Sequence, residues 1–460
     1  VISLLPFFSS SKYYNMSNKE FNKDFWQQFI DTNKNFTQTC VIKNVISEDL
    51  ILKLKNAVVD GLTNRFKTKD LDGFRLYFPS QGKGKENSDF IDELYKNPPL
   101  ENEEIIDYCN RVFTEKFGLI VNFLERHSGF ISKELRMITE PLLDIIGIPA
   151  TGVDVTVFIG NYGWTPLGIH QDHQGENVLH FHLGPGDKTM YIWDQEKYKD
   201  LTGTKHNNFE IEPLLEHAEK YDFGEGDLFY MPWDKFHIGK SDDLSVGVTF
   251  WFNNPSKVKF FDRILNTFYR DYIHKNKDII APQHNFLENN DTFEEFLSVL
   301  KLDEQILNGS TRDFFKYFYN EFKHGLLSNA GWQAPPQSRE KEDKYDVDNY
   351  EFLLEKEIYT NEPFKMIHKV DEEKEQLYLY VRGTKIEMRY HPELLNVIDR
   401  LNSHQVWKVS ELLKNLENDW PIEAGLYFLS MIYDKKGIEI LGESRTVLQE
   451  AENLLLEEEN

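Results

Sequence analysis

The densest run of chemically capable side chains is Gly168-Ile-His170-Gln-Asp172-His-Gln-Gly-Glu-Asn177-Val-Leu-His180-Phe-His182-Leu-Gly-Pro-Gly-Asp-Lys188. In an extended segment, residues two apart project from the same face, so His170 and Asp172 can grip one ion from one side. A third imidazole would complete a two-histidine, one-carboxylate face. Such a face suits non-haem iron(II), because the remaining coordination positions can take a bidentate co-substrate and dioxygen.

The third ligand is sought in Gly224-Glu-Gly226-Asp227-Leu-Phe-Tyr-Met-Pro232-Trp-Asp-Lys-Phe-His237-Ile-Gly239, where a Gly-Asp turn, an apolar strand and a Pro-containing bend precede His237. This order would aim His237 into a barrel. A rival set uses the pair His180 and His182 with His237. That arrangement normally needs a glutamate a few residues downstream, and only Asp187 is offered. We read His180 and His182 as one face of a barrel strand, and His173 as a histidine at the rim of the site.

The elements that must position these groups follow from periodicity. Residues 20 to 60 read as helix, short strand and helix, with Phe21, Phe25, Trp26 and Phe29 at helical spacing and Cys40-Val41-Ile42 strand-like. Residues 73 to 88, rich in Gly, Ser and Lys, read as a mobile surface loop. Residues 102 to 147 read as mainly helical. From Val153 to Phe252 short β-runs with Gly and Pro punctuation predict a jelly-roll.

Residues 255 to 333 return to helical spacing, with Phe260, Phe261, Phe314, Phe315, Phe318 and Phe322 forming a core or a homodimer surface. Residues 334 to 346 have linker composition. Residues 347 to 445 then read as a winged-helix-like domain with a strand pair at Arg382-Gly383 and helices from Pro392, after Ser410 and from Pro421. Residues 1 to 15 read as an upstream or unstructured leader, and 446 to 460 as an acidic tail.

The expected fold is thus a mainly β catalytic core, a double-stranded β-helix or jelly-roll cupin with flanking helices, over residues 16 to 254. A helical region and an α+β winged-helix-like domain follow.

Composition sets outer bounds. An apolar share of 40% in 460 residues allows a sizeable core and more than one domain. Two cysteines, Cys40 and Cys109, are too few for a thiolate metal site or a disulfide framework. A net charge of -25 opposes nonspecific attraction to phosphate backbones and anionic membranes, and favours a basic protein or peptide partner. The helix after Pro421 carries no basic stripe, which argues against nucleic acid. No run approaches a membrane span, and the cytoplasm is the expected compartment.

Taken together, the HxD pair, the Gly-Asp…His237 element and the segment Asp187-Lys188-Thr-Met-Tyr-Ile-Trp193 resemble the JmjC-type 2-oxoglutarate oxygenases, most of all the ribosomal oxygenases and related protein hydroxylases. The resemblance implies that His170, Asp172 and His237 bind iron(II). It places Lys188 on the far carboxylate of 2-oxoglutarate, and Asn177 at a polar position that reaches this co-substrate. It further implies dioxygen as co-substrate and hydroxylation of a C–H bond of a protein or peptide side chain, with release of succinate and CO2. The chain departs from the family in the greater distance of its basic residue from the HxD pair and in the long segment 195 to 221 before the second motif. N-methyl demethylation or small-molecule hydroxylation by the same chemistry, and a non-catalytic cupin with an assembly or regulatory role, are the alternatives.

Overall fold

The computed structural model describes residues 12–16, 19–82, 88–273, 304–416 and 420–442, with isolated positions between 278 and 302. The N-terminal part runs β1 (Tyr13–Tyr14), α1 (Lys23–Thr32), β2 (Cys40–Ile42), α2 (Glu48–Thr68), β3 (Phe74–Tyr77), α3 (Ser88–Lys96), α4 (Ile105–Val112), β4 (Gly118–Asn122) and α5 (Gly129–Ile146). Three of these helices start where a side-chain oxygen satisfies an otherwise orphaned backbone N–H: Asn22 accepts from Phe25, Ser47 from Leu50 and Ser128 from Ile131. Helix α1 then buries Phe25, Trp26, Phe29 and Ile30 in the main core.

The barrel comprises β5 (Val153–Gly160), β6 (Gly163–Trp164), β7 (His170–Gln171), β8 (Glu176–Pro185), β9 (Lys188–Asp194), helix α6 (Gln195–Thr202), β10 (Glu219–Phe223), β11 (Leu228–Met231), β12 (Lys235–Ser241) and β13 (Ser245–Asn253). One sheet runs β1-β2-β11-β8-β13-β5-β4-β3. The other runs β10-β9-β12-β6, with β7 also on β12. From β7 to β9, and again from β11 to β13, successive strands alternate between the two sheets, which is the winding of a double-stranded β-helix. The N-terminal strands extend its larger sheet at both edges.

Strand β3 overturns the loop expected over residues 73 to 88, of which 83–87 lie outside the described residues. Phe74, Leu76, Tyr77 and Phe78 are buried, and β3 pairs with β4. Overall Gly, Ser and Lys content hid this short apolar run. Likewise Tyr13 and Tyr14 pair in parallel with Val41 and Ile42, so the expected leader includes an ordered strand, while residues 1–11 lie outside the described set.

Beyond the barrel, α7 (Lys257–Phe268) packs on α8 (Thr311–Ser328). The aromatic residues read as a core or dimer surface pair within the chain: Phe261 with Phe315 at 5.0 Å and Phe260 with Phe322 at 5.9 Å between ring centroids. The chain then returns to the barrel. Trp332 is fully buried, bridges Val153 and donates its indole N–H to the Ser132 carbonyl.

The expected linker over residues 334 to 346 is a packed segment. It holds α9 (Arg339–Asp343), and Gln337 and Glu342 are buried. Arg339 pairs with Glu439, and Glu342 with Lys436. Charged composition reads as a spacer because these partners lie about a hundred residues away in sequence.

The last part contains β14 (Glu357–Tyr359), β15 (Ile367–Asp371), β16 (Gln376–Val381), β17 (Thr384–Arg389), α10 (Pro392–Leu401), β18 (Trp407–Lys408), α11 (Val409–Leu413), α12 (Ile422–Asp434) and β19 (Glu439–Ile440) around its own apolar core. Strand β19 pairs with β14, which lies before the helices, and among the described residues it forms no hairpin wing. The expected acidic tail lies outside the described residues. No helix among the described residues is long and apolar enough to cross a membrane.

Candidate metal centre and its cavity

Between the two sheets lies a cavity of about 730 Å³. At its wall, β7 and β12 pair in a register that sets His170 directly opposite His237. Directly opposed residues of an antiparallel pair share a face, so the two rings meet, with centroids 4.3 Å apart. Asp172 follows two residues after His170, and its Oδ1 lies 4.0 Å from Nε2 of His237. Among the described residues these three form a group of metal-capable side chains whose ligand atoms all lie within 4.8 Å of one another.

The backbone fixes the imidazole tautomers. Nδ1 of His170 donates to the Gly168 carbonyl at 2.8 Å and Nδ1 of His237 to the Lys235 carbonyl at 3.2 Å, which leaves both Nε2 lone pairs for an ion. Gly168 reaches its place only in a left-handed conformation, φ +70°, where a Cβ would stand 2.7 Å from the Asn208 carbonyl oxygen. Burial pushes the pKa of each imidazole down to about 4, so both are neutral near pH 7. Burial likewise raises the Asp172 carboxyl to about 6.

Asp172 Oδ2 is buried without a hydrogen-bond partner. An orphaned carboxylate oxygen is unfavourable in a native structure unless something binds it. Two neutral imidazole nitrogens and one such oxygen are the donor set that a divalent iron site requires.

Lys188 opens β9 and enters the cavity from the strand on the opposite side of β12 from β7. It is 7% exposed, and its ammonium lies 5.0 Å over the Phe158 ring and 5.8 Å over that of Tyr162. Among the described residues no carboxylate pairs with it. An ammonium held over aromatic faces without a counter-charge is placed to receive an anion.

Asn177 is elsewhere. Val178 and His180 of β8 line the cavity, and strand alternation turns Asn177 to the other face, where its Oδ1 accepts from the Tyr230 hydroxyl at 3.1 Å. The reading of Asn177 as a co-substrate contact is therefore corrected. His180 and His182 are tied to each other at 3.3 Å, and His182 Nε2 donates to the Gly186 carbonyl at 2.7 Å. They form no three-ligand cluster with His237 among the described residues. His173 lines the cavity.

Sequence reasoning missed several lining groups. Arg75 comes from β3, and Asp154, Thr156 and Phe158 come from β5. In β5 the alternation Val153-Asp154-Val155-Thr156-Val157 was a readable signal for a strand with one apolar and one polar face. Arg263 of α7 and Gln333 also reach the cavity, so the expected domain boundary at residue 254 cuts through its wall.

The Asp154 carboxylate accepts from Asn253 at 2.7 Å and from Gln333, and Gln333 in turn accepts from Arg263. Burial raises the Asp154 pKa from 3.8 to about 7. Between those values the native state holds a proton that the unfolded chain has released. Stability from this group is therefore full below pH 3.8 and is lost as pH rises through 7. Asp154→Asn keeps an acceptor for both amides and should raise the melting temperature at pH 8 but not at pH 4. The expected difference is on the order of 2–4 kcal/mol. Equal shifts at both pH values in thermal melts would contradict it.

Fold and site together define a double-stranded β-helix with a two-histidine, one-carboxylate face in its cavity. No family model matches the chain, and no curated protein does. Among solved structures, the chain is similar to YcfD, a ribosomal oxygenase from Escherichia coli. One such structure matches with 14% identity and a TM-score of 0.45, covering 94% of this chain and 100% of that one. A YcfD complex with cobalt and 2-oxoglutarate matches with 14% identity, a TM-score of 0.44 and coverage of 91% and 98%. A complex with cobalt and succinic acid matches at 15%, again with a TM-score of 0.44 and the same coverage.

Proposed function

We propose that this protein is an iron(II)- and 2-oxoglutarate-dependent oxygenase that hydroxylates a C–H bond of a protein or peptide side chain. The observation that carries the reading is one cavity holding both a His170, Asp172, His237 face with an orphaned carboxylate oxygen and, on the adjacent strand, a buried lysine that no carboxylate pairs with among the described residues.

His170, Asp172 and His237 would hold the metal on one face and leave the cavity side open. Lys188 would pair with the far carboxylate of 2-oxoglutarate, supported from behind by Phe158 and Tyr162. The carbonyls of Gly168 and Lys235 keep the imidazoles in the ligating tautomer. When bound, iron(II) with 2-oxoglutarate and dioxygen supplies the oxidation, with release of succinate and carbon dioxide. No acid, base or nucleophile from the chain is required. Its work is to place the groups and keep water out.

A macromolecular substrate is supported by the net charge of -25, which favours a basic partner, and by a cavity wall partly built from the region after the barrel. Purified protein given iron(II), ascorbate and 2-oxoglutarate should release succinate. A chelator should stop it, and iron(II) but not zinc should restore it. Absence of both iron binding and succinate formation would leave the non-catalytic alternative.

A further inference from the structure

Arg75 is a second cation in the cavity that the proposed chemistry leaves unused. Its strand, β3, is the last of the larger sheet, and Arg75 lines the same cavity as His170 and His237. The guanidinium donates to Asn122 Oδ1 at 3.2 Å, and the same oxygen accepts from the Thr156 hydroxyl at 3.4 Å, which steadies it. Among the described residues no carboxylate pairs with Arg75.

Lys188 and Arg75 reach the cavity from different sheets. Lys188 enters from β9, which pairs with the His237 strand, whereas Arg75 comes from β3 at the edge of the larger sheet. With iron(II), the Asp172 carboxylate, the dianionic co-substrate and Lys188 in place, the formal charges at the centre cancel. Of the other cations lining the cavity, Lys259 pairs with Glu176 and Arg263 is held by Gln333, whereas Arg75 has no carboxylate partner among the described residues. A guanidinium presents paired N–H donors whose fork matches a carboxylate, and such pairing is strongest in a desolvated site.

Resting on the oxygenase reading above, we infer that Arg75 is a specificity-determining residue that binds a carboxylate of the primary substrate, an acidic side chain in a peptide, beside the metal face. The outer field and the cavity then select for different things. The strongly acidic protein draws a partner with a basic surface, and Arg75 chooses an acidic residue from that partner for insertion.

The test uses zinc-loaded full-length protein saturated with 2-oxoglutarate and an arrayed peptide set that differs only at the centre: Glu, Gln or Lys in lysine-containing flanks. Retention on the Glu-centred peptides should exceed that on the Gln-centred ones at least tenfold. In Arg75→Met the ratio should fall to near one, and Arg75→Lys should recover part of it. Calorimetry with 2-oxoglutarate alone is run on each variant, with circular dichroism to establish that each is folded. Preference for Gln or Lys centres in the wild type, or a Glu preference that survives in Arg75→Met, would overturn the assignment. So would a loss in Arg75→Met of 2-oxoglutarate affinity instead of peptide selectivity, since Arg75 would then belong to the co-substrate site. If no form of the protein binds 2-oxoglutarate yet the Arg75-dependent Glu preference stands, the oxygenase reading falls and this one remains.

Discussion

Asp172→Ala should abolish succinate formation and weaken iron(II) binding by more than about 100-fold, the upper end of what even outer supporting groups contribute at metal sites. The metal-free protein should lose no stability. In the wild type Asp172 carries a buried oxygen without a partner, and burial raises its pKa, so the side chain is unfavourable until an ion arrives. Thermal melts with and without iron(II) separate the two effects. The wild type should gain several degrees on adding metal, and the variant should start at least as high and gain nothing. A variant that still shows the metal-dependent gain would remove Asp172 from the ligand set.

Lys188→Met should show the same opposition in a different group. Methionine fills nearly the same space against Phe158 and Tyr162 without the charge, so the protein free of co-substrate should become more stable by about 1–3 kcal/mol. Affinity for 2-oxoglutarate should fall by roughly 30- to 1,000-fold, the range for losing one partner of a buried charge pair. Iron(II) binding should persist, because the triad does not depend on Lys188. Calorimetry on the zinc-loaded variant gives the affinity directly. If 2-oxoglutarate binds Lys188→Met as it binds the wild type, the far carboxylate has another anchor and Arg75 is the first residue to examine.

The parts of the site that could be read from the chain were those fixed by local spacing. His170 and Asp172 are two apart in an extended segment, so their common face followed from period-two geometry, and His237 was found through the Gly-Asp turn and short apolar strand that precede it. Lys188 was singled out through the family resemblance, not by local spacing, and the structure sets it at the start of β9 in the cavity wall. Asn177 failed by one position: on β8 a single step exchanges the cavity for the opposite face, and no local feature sets that parity. Arg75 and Gln333 were invisible because their sequence neighbourhoods carry loop and linker composition, and only pairing across long stretches of chain brings them to the cavity.

The fold divides in the same way. The helices at residues 23 to 32 and 48 to 68 and the β-rich stretch could be recognised in advance, whereas the helix expected after Ser410 already starts at Val409. The strand at residues 74 to 77, the packed segment around α9 and the pairing of β19 with β14 depend on distant partners.

The return of the chain from α8 to the barrel links the last part of the chain to the cavity wall. Arg382 is buried against the Phe364 ring, 3.4 Å from its centroid, and donates to Asn329 and to Ser132. Asn329 holds the carbonyls of Trp332 and Ala334, and between those two lies Gln333, whose amide closes on Asp154. Four side chains, Arg382, Asn329, Gln333 and Asp154, thus tie the last part of the chain to the cavity wall through a short series of hydrogen bonds.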